Sequence, residues 1–128
     1  METTEGTLTP IIKALRFVTR RSTGEVFIHI SEDFFEKDPT DTALALFEEM
    51  NMTKTQDRNA VLVYLNRRSR KFAIIADEGV HRKVGQRYWD ELARNFSEDL
   101  QSTHYENALS LLTFSVGTTL SQKFPRES

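Results

Sequence analysis

Two short apolar runs, Ala60–Leu65 and Phe72–Ile75, separated by the polar stretch Asn66–Lys71, constrain this chain more than anything else in it. Both are rich in valine, isoleucine and aromatic residues, which suit a pleated, half-buried surface, and the stretch between them reads as a turn. The two runs are expected to pair antiparallel. With the turn centred near Arg68, Asn59 or Ala60 falls opposite Asp77, and directly opposed residues bring their Cβ atoms to roughly 5 Å. Asp57, Asn59, Asp77 and Glu78 then share one rim of the hairpin, while Arg67, Arg68, Arg70 and Lys71 share the other. The hairpin is electrically two-ended.

The flanking segments alternate in type. Thr9 followed by Pro10 reads as a helix start, with proline at the first helical position, where its missing N–H leaves no bond unmade. Ile11, Leu15 and Val18 mark one face of that helix, Arg20 and Arg21 suit its carboxyl end, and Gly24 follows its end. From Glu25 to Ser31, apolar Val26, Ile28 and Ile30 alternate with Glu25, Phe27 and His29, which predicts a strand. Asp38, Pro39 and Thr40 open a second helix carrying Ala43, Leu44, Phe47 and Met50. Beyond the hairpin, Tyr88, Leu92, Phe96 and Leu100, with Trp89 adjacent, predict one long amphipathic helix over Gly79–Ser102. A last helix carries Tyr105, Leu109, Leu112 and Val116 and closes at Phe124 and Pro125; Gly117 within it reads as a point of close packing.

The order is therefore α-β-α-β-β-α-α. A strand, a helix and a second strand in one sheet imply a right-handed parallel crossover, which sets Glu25 at the same end of the sheet as Asp57 and Asp77. The expected fold class is α/β: a three-layer α/β/α sandwich around a central mixed sheet of three to four strands. At 128 residues a single domain is expected over 1–128, its core about 11–125, with 1–8 and 126–128 flexible.

The net charge of −2 gives no bulk attraction for nucleic acid, and the lack of cysteine excludes disulfides, thiolate metal sites and cysteine nucleophiles. His29, His81 and His104 are scattered without zinc-ligand spacing. The opening residues lack a basic region followed by an apolar one, and Ala108–Val116, broken by Ser110, Thr113 and Ser115, falls short of the roughly 20 residues that span a bilayer. A cytoplasmic monomer with no membrane span is expected. The basic turn suits a phosphate or an RNA backbone, but base stacking needs exposed aromatics, and Tyr64 and Phe72 lie inside strands. A basic turn more commonly protects a sheet edge, so no nucleic-acid partner is expected.

Several carboxylates with an amide oxygen form the ligand set of a hard cation, calcium or magnesium, and their mutual repulsion favours one between them. The candidate metal ligands are Glu25, Asp57, Asn59, Asp77 and Glu78. A plainer role stands beside this one: Asp77 suits the cap of a helix starting near Val80, Glu78 favours the same dipole end, and Glu25 and Asp57 suit solvated surface. Paired carboxylates also serve as general acid and base, but there is no glycine-rich phosphate loop and no Gly-x-Ser-x-Gly elbow. His81, just past Asp77, is the one histidine placed to join the rim. The leading expectation is a cation-binding module with a protein partner, and the alternative is a weak, metal-assisted phosphomonoesterase of the acid phosphatase kind.

A resemblance adds to this reading. Thr23, Gly24 and Glu25; Lys54 and Thr55 with Arg58–Leu62; Phe72–Val80; Tyr88 and Trp89; and Gly117, Leu120, Phe124 and Pro125, in that order and spacing, resemble the TPM-domain family of thylakoid-lumen, photosystem-repair and receptor-accessory proteins. The likeness runs from about Ile11 to Pro125. It implies a compact α/β/α sandwich whose acidic cluster binds a divalent cation, with weak phosphatase activity in some members. Glu25 matches the Glu of its Thr-Gly-Glu motif, Asn59 the Asn of Asn-Gly-Val-Leu, and Asp77 the Asp of Gly-Asp-x-Gly-Ile. Ala60 and Ala76 stand where the family usually has glycine. Many relatives also carry a signal peptide and a membrane anchor, so this chain resembles the small, free-standing form.

Overall fold

The structure is a computed structural model and describes residues 5–127. Its elements are α1 (Glu5–Arg21), β1 (Glu25–Ser31), α2 (Pro39–Glu49), β2 (Ala60–Asn66), β3 (Lys71–Ala76), α3 (Glu78–Val84), α4 (Gln86–Ser102) and α5 (Tyr105–Lys123). This is an α/β fold with a three-stranded mixed sheet ordered β1-β2-β3. They fall into two compact units, Glu25–Trp89 and Met1–Gly24 with Asp90–Ser128.

The first of these holds the sheet. β1 runs parallel to β2 with Glu25 across from Ala60, and β3 runs antiparallel to β2 with Leu62 across from Ile75. The Asp77 amide donates to the Ala60 carbonyl at 2.9 Å, so the expected hairpin register holds. Every residue of β2 is buried. On one face Ala60, Leu62 and Tyr64 join Ala73 of β3 and pack with Ala43 and Phe47 of α2 and with Met52; Leu46 and Ile75 sit at the margin. Leu44 and Met50, expected on that helix face, are instead about half exposed, because Ala43, Leu46 and Phe47 form the i, i+3, i+4 stripe that meets the sheet. α2 starts as its sequence predicts: the Asp38 carboxylate accepts from the Thr40 amide at 2.9 Å, and Pro39 occupies the first turn.

The helix expected over Gly79–Ser102 is two helices. Gly85, at φ 80, closes α3 before α4 begins, and such a backbone angle suits glycine alone. The aromatic periodicity survives the break, since Trp89, Leu92, Phe96 and Leu100 are all buried.

In the other unit, α1 begins at Glu5, earlier than expected, and Pro10 lies inside it. At that interior position proline removes one backbone bond and its ring crowds the preceding turn. α5 lies against α1 at Gly117, where a Cβ would stand 2.7 Å from Cγ2 of Val18. Next to it the rings of Phe17 and Phe114 are 5.2 Å apart. The carboxyl end of α1 is tied down by the end of the chain: the Arg126 amide donates to Arg21 O, and its guanidinium donates to Thr19 O at 2.8 Å and Ser22 O at 3.0 Å. Carbonyls at a helix end otherwise lack partners. Buried Ser22 shares its hydroxyl proton between Leu120 O and Phe124 O and accepts from the Gly24 amide. Of the ends expected to be flexible, residues 1–4 and 128 lie outside the described residues.

Gly117→Ala should destabilise the protein by about 1–2 kcal/mol. Overpacking against a stiff, buried valine costs about 1–3 kcal/mol, and better helix propensity offsets only about 1 kcal/mol of that. Urea unfolding followed by circular dichroism measures the difference.

Candidate functional site

The acidic end of the sheet is built around a loop and a helix start. After Thr55, whose hydroxyl accepts from the Asn59 amide, Arg58 adopts the left-handed conformation at φ 50, and the chain enters β2 at Ala60. At the other side of the hairpin Asp77 ends β3 and caps α3, its Oδ1 accepting from the Glu78 amide at 2.9 Å. Gly79 lets the two segments touch. Its amide donates to Arg58 O at 2.9 Å, and a Cβ there would stand 2.0 Å from the Asp57 carbonyl oxygen.

Arg58 then closes over Asp77. Its Nε lies 2.6 Å from Oδ2 and its Nη2 lies 2.7 Å from Oδ1, while Nη1 reaches Glu78 Oε1 at 3.4 Å. Two parallel charge-assisted bonds of this kind give the strongest and most directional form of carboxylate pairing. The Asp77 side chain is 4 % exposed and that of Arg58 is 39 %. Burial alone would push the Asp77 carboxyl up, but the bonds from Arg58 and the Glu78 amide, with the guanidinium charge, hold it below the usual aspartate value. Bonding to Asp77 likewise raises Arg58.

The sequence-derived ligand set is brought together only in part. The main chains of Glu25, Asn59 and Asp77 meet at this end of the sheet, the Glu25 amide donating to Asn59 O at 3.4 Å and the Asp77 amide to Ala60 O. Asn59 and Asp77 are buried, whereas Glu25, Asp57 and Glu78 are exposed. Among the described residues no group of three or more His, Asp or Glu side chains is placed to hold a metal ion. Both Asp77 oxygens face a cation already present in the chain. As arranged, these residues do not fit a bound divalent ion. His81 is exposed on α3.

Arg58 was legible in principle, since it lies two residues before the position that faces Asp77. A second polar cluster gave no such signal. At the opposite end of the sheet, Tyr64 donates from its hydroxyl to Glu36, which also accepts from Asn66 Nδ2 at 3.2 Å. Buried Asn66 donates to Asp33 O at 2.8 Å and accepts from the Arg68 amide at 3.0 Å, fixing the basic turn. Burial acts to raise the Glu36 carboxyl, but bonds from Tyr64, Thr42 and Asn66 and the nearby His29 charge outweigh it and lower it.

The Arg58–Asp77 pair has a pH signature. Because the folded-state value of Asp77 is depressed, its contribution is present above the unfolded value of about 3.9 and is lost as pH falls through the lower folded value. Asp77→Asn keeps a good helix cap but removes the charge, and should destabilise by about 1–2 kcal/mol at pH 7, a figure reduced for the half-open arginine. The difference from the parent should shrink below about pH 4, as measured by urea unfolding across a pH series.

Comparison with known proteins places the chain in a family. A family model for the TPM domain matches residues 4–118. The solution structure of the BA42 protein from the psychrophilic bacterium Bizionia argentinensis sp. nov. superposes with a TM-score of 0.90 at 23% identity, over 100% of this chain and 88% of that one. The N-terminal domain of the cg2496 protein from Corynebacterium glutamicum superposes with a TM-score of 0.72 at 15% identity, over 93% of this chain and 74% of that one. No curated protein sequence matches significantly. The chain belongs to the TPM-domain family.

Proposed function

We propose that this protein is a monomeric cytoplasmic binding module, acting without catalysis, whose acidic end is neutralised from within by Arg58 and offers Glu25, Asp57 and Glu78 to a protein partner. One observation carries the reading: the two-pronged contact of Arg58 with Asp77 at 2.6 and 2.7 Å. A hard cation seeks the same oxygens, and its usual six to eight ligands would have to come from carboxylates that here point to an internal guanidinium or to solvent. A phosphomonoesterase built on this rim needs a carboxylate free to hold an ion or to exchange a proton. Asp77, held ionised in a tight pair, offers neither. No helix among the described residues is long and apolar enough to cross a membrane, which supports action away from the bilayer core.

A second reading, binding of calcium or magnesium at Glu25, Asp57, Asn59, Asp77 and Glu78, is favoured by the convergence of three backbone segments at this end and by the partial exposure of Arg58. An outward swing of that side chain would uncover the Asp77 carboxylate.

Titration with calcium and with magnesium, following the amide signals of residues 59–61 and 76–79, separates the two. The parent protein should respond only at concentrations above about 1 mM, the weak end of protein calcium sites. Arg58→Asn, a residue that tolerates the left-handed backbone, should bind about tenfold more tightly or better, the usual size of a coupling between two competing ligands. Saturation of the parent below about 1 mM would overturn self-neutralisation in favour of the ion.

A further inference from the structure

α1 gathers positive charge on one face. Lys13, Arg16, Phe17, Arg20 and Arg21 recur at helical spacing and together line a surface groove of about 260 Å³. Arg20 and Arg21 suit the negative end of the helix dipole, but that effect fades within the last turn and does not account for Lys13 and Arg16. Like charges three and four residues apart on a helix repel, so Lys13, Arg16 and Arg20 work against α1 rather than for it.

No carboxylate lines this groove. Among the described residues its cations form no ion pair, whereas Arg58, Arg67 and Arg82 each have a carboxylate partner. The neighbouring helix does not supply one either. The Ser110 hydroxyl donates to Pro10 O and Gly117 meets Phe17 and Val18, so α5 runs beside α1 in the same direction. Its one acid, Glu106, lies in its first turn, roughly 10 Å along the axis before Lys13. α4 meets α5 at Leu111, Leu112 and Ser115 rather than on the stripe facing α1, which keeps Asp99 across α5 from the groove. Past the other end stands a further cation, Arg126, bonded to Thr19 O and Ser22 O, and then exposed Glu127. On a chain of net charge −2 the patch is a local excess of cations.

We propose that this groove binds a compact anion carrying at least two phosphoryl groups. Charge and size select it. A phosphoryl group brings up to about two negative charges to one point, so two of them balance Lys13, Arg16, Arg20 and Arg21, where carboxylates would have to be twice as many. Guanidinium forks match phosphate oxygens in pairs, and all of these cations but Lys13 are arginines. A volume of about 260 Å³ sits near the lower bound of small-molecule sites, about 300 Å³, which suits a compact ligand rather than a polymer. A nucleobase finds no platform here, because the half-buried Phe17 ring lies under Arg21 at 5.1 Å and against Phe114 at 5.2 Å. The same contact holds Arg21 in place before any ligand arrives, which lowers the ordering cost of binding.

Calorimetric titration with inorganic pyrophosphate, set against inorganic phosphate, citrate and a single-stranded oligonucleotide, tests it. Pyrophosphate should bind at least about tenfold more tightly than phosphate, shift the amide signals of residues 13–21 and weaken with added salt. Arg16→Gln with Arg20→Gln should lower its affinity at least about tenfold. Arg68→Gln with Lys71→Gln, on the hairpin turn, should leave it unchanged. All four positions are exposed, so an unchanged circular dichroism spectrum is expected and verifies folding. Retention on vesicles bearing a doubly phosphorylated headgroup, displaced by pyrophosphate, would support a lipid as the source of the phosphoryl groups, and its absence beside pyrophosphate binding a free ligand. No response to pyrophosphate, or equal losses in the two double variants, would overturn the proposal. So would citrate binding as tightly as pyrophosphate, which points to a carboxylate-rich partner, or oligonucleotide binding that pyrophosphate does not displace.

Discussion

The complete burial of β2 is the constraint from which the rest follows. A strand covered on both faces must be apolar along its length, and Ala60–Leu65 is interrupted only by Tyr64, whose hydroxyl is bonded. Polar chemistry is thus driven to the two ends of the sheet. There the chain has to turn, and backbone groups that leave the ladder need partners. Each end answers that need with buried polar side chains: Asp77 and Asn59 at one, Asn66 at the other. Asp77 bonds a helix start and a cation; Asn66 bonds a loop and a turn.

The two ends differ in what they leave facing solvent. At the acidic end the buried carboxylate is matched by Arg58, and the charges left outside, Glu25 and Asp57, are spread on the surface. A guanidinium presents fixed donors that match a carboxylate in one geometry, so this neutralisation is directional and comes with the fold. At the other end Glu36 faces Tyr64 and Asn66, while Phe34, Phe35 and Arg68 lie exposed beside Glu32 and Asp33.

Much of this was legible before any coordinates. The hairpin register followed from two apolar runs and a turn, because a one-residue slip would expose a whole buried face. The cap of α2 and the close approach at Gly117 were equally readable, since both depend on residues a few positions apart or on the absence of a side chain. What escaped was of two kinds. The apolar spacing that starts at Tyr88 gives no mark of where its helix begins, so pattern alone could not see the break that φ 80 makes at Gly85. The carboxylates were read together with an external cation, and the pairing of Asp77 with Arg58, which lies between Asp57 and Asn59 in the chain, was not drawn. Charge of one sign draws the eye to an external partner, and an internal one is found only when the register is carried one step further. Phe34 and Phe35 were passed over because aromatic residues were sought within the turn rather than in the loop that packs beside it.

The alanines at positions 60 and 76 bear on the same question. Glycine there would suggest a backbone that needs positive φ or unusual closeness to an ion. Both residues are instead in ordinary strand conformation, and the left-handed angle in this loop belongs to Arg58. A non-glycine residue in that region costs roughly 1 kcal/mol. The same turn of the backbone presents Arg58 O to the Gly79 amide and aims the guanidinium at Asp77. Glycine at position 58 would adopt the angle freely but bring no charge; arginine accepts the strain and supplies the cation. The one true close approach, 2.0 Å from an added Cβ to Asp57 O, is at Gly79, where glycine is kept. The demand for a small residue and the demand for a positive charge thus fall on two different segments, and only together do they close this end of the sheet.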